Sequence, residues 1–275
     1  MKCSVFPTVV IWNFGYQCNM NCLHCYTRNS DEKLGIEAFD YVENFAKSGV
    51  MQVHFGGGES LMRDDFLPVV DEVHKSGMGV SLSTNGSLMT KKLAKGLENK
   101  VNMVGLSIHG ATASTHDSFT RYPGAFSKLL RAHKALRNIN HRFIVVLCSK
   151  TAPEAVGIIR LASDLGISVE FRTMKNVGNA LEHELKLSPV EEKEIREVIL
   201  MEADNHVGIE ISFDKEVICA CGRFTIAVRA NGDVTACSLA VDPIGNLKDD
   251  LLIDLWQNHP KLIELRRSGI SPCKL

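Results

Sequence analysis

No apolar run in this chain approaches the ~18 residues of a membrane-spanning helix, and nothing at its start reads as a signal peptide. Met1-Lys2-Cys3-Ser4-Val5-Phe6-Pro7 has neither an extended apolar core nor a small-residue cleavage site. Charge of one sign is missing too: the net charge is -1 over 275 residues. Such a balance offers no field to draw nucleic acid or an anionic membrane, so neither is expected as a partner. Solenoid repeats and low-complexity segments are absent, and no peptide-recognition domain precedes the first apparent strand. That last feature weighs against a peptide substrate. Together these features predict a cytoplasmic protein, and the ordinary balance of 45% apolar and 23% charged residues fits one large domain with a small appendage.

Cysteine, by contrast, is plentiful. Nine cysteines would suggest a disulfide framework in a small secreted domain, but in a longer chain with cytosolic character clustered thiols more often bind metal. Cys18, Cys22 and Cys25 follow a C-x3-C-x2-C spacing directly after a short apolar run. Thiolates this close converge on one point. Structural zinc normally takes four ligands, and His24 lies too near Cys25 in the chain to close the same tetrahedron comfortably. An iron–sulfur cube held by three cysteines keeps one iron open, and three ligands without a fourth fit that better. A second group, Cys219, Cys221, Cys237 and Cys273, lies late in the chain, where a zinc site or free thiols are the plainer alternatives. Cys148 ends the apolar run Phe143-Ile144-Val145-Val146-Leu147 and reads as a buried structural thiol.

Between the two groups, apolar strands alternate with helices. Strands are expected at 9–12, 51–55, 79–83, 101–108, 142–147 and 167–171, and helices at 35–48, 66–75, 91–98, 126–138 and 153–165. Near-continuous apolar strands joined by helical crossovers imply a parallel sheet buried on both faces. The predicted fold class is α/β, a partial, open (β/α)6 TIM-like barrel over 1–205. A small α+β unit is expected over 206–275, with a hairpin turning through Asn231-Gly232-Asp233 and one last helix at 251–267. Ser188-Pro189 caps a charged helix that runs to about Asp204. The unusual motifs fall at strand C-terminal ends: the cysteine loop, Gly56-Gly57-Gly58-Glu59, Thr84-Asn85-Gly86 and His109-Gly110. Those ends build the active site in barrels of this type. His54 and His109 are weak acid–base candidates there, since a strand-end histidine often serves only as a hydrogen-bonded wall.

The cysteine loop, with aromatic Tyr26 beside its third cysteine, resembles the signature of the radical S-adenosylmethionine (SAM) enzymes. Gly57-Gly58-Glu59 is similar to that family's second-strand motif, Ser83-Thr84-Asn85-Gly86 to its third-strand end, and Ser107-Ile108-His109-Gly110 with His116-Asp117 and Arg121 to its fourth-strand segment. The resemblance implies a [4Fe-4S] cluster on Cys18, Cys22 and Cys25 whose open iron is chelated by S-adenosyl-L-methionine. It further implies that Gly57, Gly58 and Glu59 contact the SAM amino group, that Ser83, Thr84, Asn85 and Ser107 lie toward the ribose, and that Arg121 meets the carboxylate. Phe171, at the sixth-strand exit, would pack near adenine and substrate. The late cysteines, with Gly232, Gly245-Asn246-Leu247 and Leu255-Trp256, resemble the accessory domain called SPASM, or twitch in its short form. Cys221 departs from that pattern, and the further cysteines that the full pattern places after Cys273 do not fall within this sequence, as expected of the short form or of a truncated domain. One auxiliary iron–sulfur cluster on Cys219, Cys221, Cys237 and Cys273 is implied.

The implied activity is reductive cleavage of SAM to a 5′-deoxyadenosyl radical that abstracts hydrogen, an oxidoreductase chemistry. Peptide or protein modification (crosslinking, oxidation or decarboxylation) is the first expectation. A small-molecule dehydrogenase or decarboxylase, of aminocyclitol or haem-precursor type, is the second, and a non-enzymatic metal-binding scaffold stands behind both. An electron donor such as flavodoxin or ferredoxin is implied.

Overall fold

In the computed structural model, residues 4–27, 37–175, 177–213 and 220–268 are described. Ten strands form one sheet in the order β10-β9-β8-β1-β2-β3-β4-β5-β6-β7. The first six are β1 (Val9–Gly15), β2 (Gln52–Gly57), β3 (Gly79–Thr84), β4 (Met103–Ser107), β5 (His141–Leu147) and β6 (Ser168–Thr173). They pair in sequence order and all in parallel. β7 (Ile211–Phe213) adds to β6 in the same sense. β8 (Thr225–Val228) runs parallel to β1 on the other side, and β9 (Asp233–Thr235) and β10 (Gly245–Asn246) follow it antiparallel. This is the expected TIM-like α/β fold with a C-terminal appendage, and β7 and β8 carry the parallel run beyond six strands.

The strands alternate cleanly. Val10, Trp12, Phe14, Val53, Phe55, Val80, Leu82, Val104, Leu106, Phe143, Val145, Val169 and Phe171 point out into a buried apolar layer. That layer is covered by α1 (Ala38–Lys47), α2 (Phe66–Lys75), α3 (Lys91–Leu97), α5 (Ala125–Ala135) and α6 (Ala155–Leu165), whose own apolar stripes are buried. Trp12 anchors it, with Phe14, Phe45 and Phe55 rings at 4.8, 5.3 and 5.5 Å. The intervening residues, Ile11, His54, Ser83, Ser107, Ile144, Val146 and Arg172, face the barrel interior.

Three local expectations differ from what forms. A helix not foreseen, α4 (Ala113–Thr120), follows β4, opened by a capping box between Thr112 and Thr115. The hairpin between β8 and β9 turns through the four residues 229–232, closed by Arg229 N donating to Asp233 O at 2.8 Å, so Asp233 already belongs to β9 rather than to the turn. The last helix is two, α8 (Leu252–Asn258) and α9 (Pro260–Ser268), because Pro260 forces His259 into an extended conformation (φ -69°, ψ 125°). α7 (Pro189–Ala203) forms as read, with a Ser188–Glu191 capping box and Pro189 in its first turn. Cys148 is fully buried.

Candidate active site

A cavity of about 420 Å³ opens at the C-terminal ends of the strands, lined by Cys18, Cys22 and Cys25 together with Tyr26, Gly57, Gly58, Glu59, Ser83, Thr84, Asn85 and Ser107. Residues scattered over the first four strand exits therefore meet at one place. The cysteine loop is held from three sides. The end of β2 lies directly beneath it, with Gly58 N donating to Gly15 O at 2.7 Å and Glu59 N to Gln17 O at 2.8 Å. Here the glycines are steric necessities: a Cβ on Gly57 would fall 2.4 Å from Gly15 O, and one on Gly58 2.3 Å from Gln17 O. From α4, Thr120 O and Phe119 O accept from Asn21 N and Leu23 N, both at 3.1 Å. From the 3-10 turn Gly178–Leu181, buried Asn179 donates its backbone N to Cys25 O at 3.0 Å and its Nδ2 to Cys22 O at 3.2 Å.

Glu59 is buried beside the loop and engaged on both oxygens. Oε1 accepts from Thr84 Oγ1 at 2.8 Å and Leu61 N at 3.2 Å, and Oε2 accepts from Asn85 N at 2.9 Å. Burial pushes its carboxyl above the usual range and these donors pull it back. Asn85 Nδ2 donates to Asn19 Oδ1 at 3.0 Å and reaches toward Cys18 Sγ at 3.9 Å. Burial raises the Cys18 thiol, opposed first by the Met20 N–H that it accepts at 3.4 Å. Tyr26 turns its hydroxyl onto Asn13 Oδ1 at 3.1 Å, and burial of that end pushes the phenol up to about 12 although the residue as a whole is 38% exposed.

The floor is a polar chain. Gln52 Nε2 donates to Ser81 Oγ at 2.9 Å, Ser81 Oγ meets His54 Nδ1 at 2.9 Å, and His54 Nε2 meets Ser83 Oγ at 3.1 Å. Burial, reinforced by the positive charge of Arg172, pushes His54 down to about 4, which keeps the ring neutral. On the β4 side three imidazoles cluster: His24 meets His109 edge-on at 4.6 Å and His109 stacks parallel to His116 at 5.9 Å between centroids. His116 Nδ1 accepts from His109 N at 3.1 Å. His24 and His109 each carry a buried Nδ1 with no partner, and burial lowers both rings.

Two expected contacts are not brought to the cavity. Phe171 is fully buried on the outward face of β6 against Phe213, because side chains alternate along a strand; its neighbour Arg172 takes the inward place. Arg121 caps α4 in the left-handed region (φ 53°) and points outward to His183 Nε2 at 3.2 Å, while Thr120 lines the cavity. Arg172, part of the same sixth-strand exit as Phe171, lies on the cavity wall, as do His24, Thr120, Lys175, Ser238 and Leu239, which the motifs did not mark as site residues. The period-two pattern Val169/Phe171 already marks Arg172 as facing inward; nothing local signals Ser238 and Leu239, which arrive from beyond β9.

Of the second cysteine group, Cys237 is buried and Cys221 half-buried, while Cys219 and Cys273 lie outside the described residues. Cys237 accepts from Leu239 N at 3.4 Å, and Cys25 and Cys237 both lie near enough to Tyr26 to push its hydroxyl up.

The donor set fits an iron–sulfur cluster. Its ligands are all thiols, they front a cavity rather than a closed core, and the wall beside them is polar enough for a second molecule. Among the described residues no three ligating side chains come close enough to hold one metal ion. A cube, in which each thiol reaches a different iron, asks for wider spacing.

Barrel, cysteine loop and glycine-floored mouth define a SAM-dependent iron–sulfur enzyme class. The chain belongs to the radical SAM superfamily, whose pattern matches residues 12–169, and an iron–sulfur cluster-binding domain, SPASM, matches residues 219–275. It is a radical SAM enzyme of the SPASM type. Among its relatives, the mycofactocin maturase MftC of Mycobacterium tuberculosis (strain ATCC 25618 / H37Rv) is 26% identical over 285 residues, covering 94% of this chain and 73% of its own. An AdoMet-dependent heme synthase of Methanosarcina barkeri (strain Fusaro / DSM 804) is 30% identical over 168 residues, covering 58% of this chain and 48% of its own. In fold the chain is similar to Streptococcus suis SuiB, crystallised with precursor peptide SuiA, with a TM-score of 0.82 at 14% identity over 96% of this chain and 67% of that one.

Proposed function

We propose that this enzyme is an oxidoreductase that modifies a peptide or protein by crosslinking, oxidation or decarboxylation. The carrying observation is that Cys18, Cys22, Cys25 and the ends of β2, β3 and β4 line one cavity. In this reading the three thiols hold the [4Fe-4S] cluster, and Cys219, Cys221, Cys237 and Cys273 hold one auxiliary cluster. The bound cluster and SAM supply a one-electron cleavage that yields methionine and a 5′-deoxyadenosyl radical able to take hydrogen from substrate. The chain does the rest. Gly57 and Gly58 let the carbonyls of Gly15 and Gln17, which lead into the cluster loop, pack directly on the end of β2, Ser83 and Ser107 offer hydroxyls to the nucleoside, and neutral His54 and His109 wall the site without adding charge. A barrel over 1–205 and an auxiliary unit over 206–275 are the two working parts. A flavodoxin or ferredoxin in the cytoplasm is the reductant that suits such a site.

The peptide reading is supported by relatedness to a maturase over 94% of the chain. A small-molecule reading, of haem-precursor type, is supported by the heme synthase, but over 58% only. Anaerobic reconstitution followed by dithionite and SAM should give 5′-deoxyadenosine by chromatography, and C18A/C22A/C25A should give none. Equal yields from the two would sink the radical reading. Deuterium transferred into 5′-deoxyadenosine from the peptide-sized fraction of a deuterated extract of the source organism supports a peptide substrate. Transfer from the small-molecule fraction only would overturn it.

A further inference from the structure

Arg172 and Lys175 are the lysine and arginine side chains on the cavity wall among the described residues, and neither has an assigned role. Arg172 stands on the inward face of β6. Its Nε donates to Glu170 Oε1 at 2.6 Å, and the other oxygen of Glu170 accepts from Arg142 Nη1 at 3.3 Å. That clamp sets the plane of the guanidinium and leaves its Nη edge with no acceptor among the described residues. The side chain remains 40% exposed. One carboxylate between two arginines, with Lys175 nearby in the chain, leaves this wall with an excess of positive charge. Glu59, the acid that lines the cavity among the described residues, has its oxygens engaged by Thr84, Leu61 and Asn85 and pairs with neither cation. The arginine expected from α4 faces away, so an anion entering the cavity meets these two cations.

We propose that Arg172 and Lys175 form a carboxylate-binding subsite on the β6 side of the cavity. A guanidinium held by its Nε presents its Nη pair in one plane, a fork that matches the two oxygens of a carboxylate, and Lys175 adds a mobile point charge at the rim. This rests on the reading that the cavity takes SAM together with a substrate. Two molecules could bring the group: SAM, through its methionyl carboxylate, or a substrate bearing one.

The test uses the anaerobically reconstituted full chain, the double variant R172Q/K175Q, and R172K/K175R as a charge-keeping control for folding. Calorimetry measures SAM and decarboxylated SAM. Saturation-transfer NMR, with SAM present, measures hippurate against its neutral amide. If the subsite holds SAM, R172Q/K175Q loses roughly tenfold or more in SAM affinity, as expected for charge-assisted hydrogen bonds, and nothing for decarboxylated SAM. If it holds a substrate carboxylate, SAM affinity is unchanged, and wild-type saturation transfer to hippurate exceeds that to the amide and vanishes in R172Q/K175Q. In both cases R172K/K175R retains most of the binding. SAM affinity at the wild-type value together with hippurate transfer unaltered or absent throughout overturns the subsite. A wild-type chain that does not bind SAM sinks the broader reading instead, and the hippurate arm then decides the subsite alone.

Discussion

Packing leaves Gly58 no room for a side chain. An added Cβ would meet the carbonyl oxygens of Gln17 and Tyr16 at 2.3 and 2.7 Å, both rigid backbone. G58A should therefore displace the cysteine loop, cost about 1–3 kcal/mol as overpacking does, and lower iron content after reconstitution; urea titration and iron analysis check both. His54 makes a second prediction. Its folded pKa near 4 lies below the ordinary 6.5, so the unfolded chain binds more protons between these values. Stability contributed by the neutral ring is present above pH 6.5 and is lost as pH falls toward 4. The ceiling is roughly 3 kcal/mol, reduced because the ring borders a cavity. H54Q should flatten the fall in urea midpoint between pH 7 and pH 4.5, while buried His24, His109 and His116 leave part of the slope in place.

At the scale of elements, α7 shows local rules at work. Ser188 Oγ accepts from Glu191 N at 3.2 Å and Glu191 Oε2 accepts from Ser188 N at 2.8 Å, so S188A should cost about 1 kcal/mol in thermal or urea unfolding. Strand β6 shows where local rules needed one more step. The apolar residues Val169 and Phe171 share the helix-facing side, and their alternation hands the interior to Glu170 and Arg172. Phe171 thus stands at the strand exit but on the outward face. The helix break at Pro260 was legible in the same way, since the residue before proline avoids helical geometry. The four-residue hairpin was less so, because it is Tyr41, far off in sequence, that leaves no room for a side chain at Gly232.

For the whole molecule, the sheet runs unbroken from the barrel into the C-terminal strands through the parallel pairing of β8 with β1. Asn44 on α1 reinforces that continuity, donating to Asp250 O at 2.8 Å and accepting from Leu252 N at 2.9 Å. N44A leaves two backbone groups short of partners and should cost on the order of 2 kcal/mol, with the barrel and C-terminal signals still unfolding together. A chain ended at residue 205 would uncover the edge of β1 and the face of α1 that packs against α8. Size-exclusion should find it aggregated rather than monomeric.

Spacing and periodicity were enough for a cluster of metal-binding thiols and for six parallel strands joined by helices. Three thiols within eight residues converge wherever the chain goes, and apolar strands alternating with helices have one economical packing. What lies opposite what was settled only by folding. That Thr120 and Arg172 reach the cavity while Arg121 and Phe171 turn away depends on a left-handed helix end and on strand parity against a particular helix layer. That Asn179 grips the carbonyls of Cys22 and Cys25, and that Ser238 and Leu239 complete the wall, depends on contacts between residues more than a hundred positions apart. Such contacts leave no local pattern in the sequence, because they form only when the sheet has brought its strand ends to one mouth.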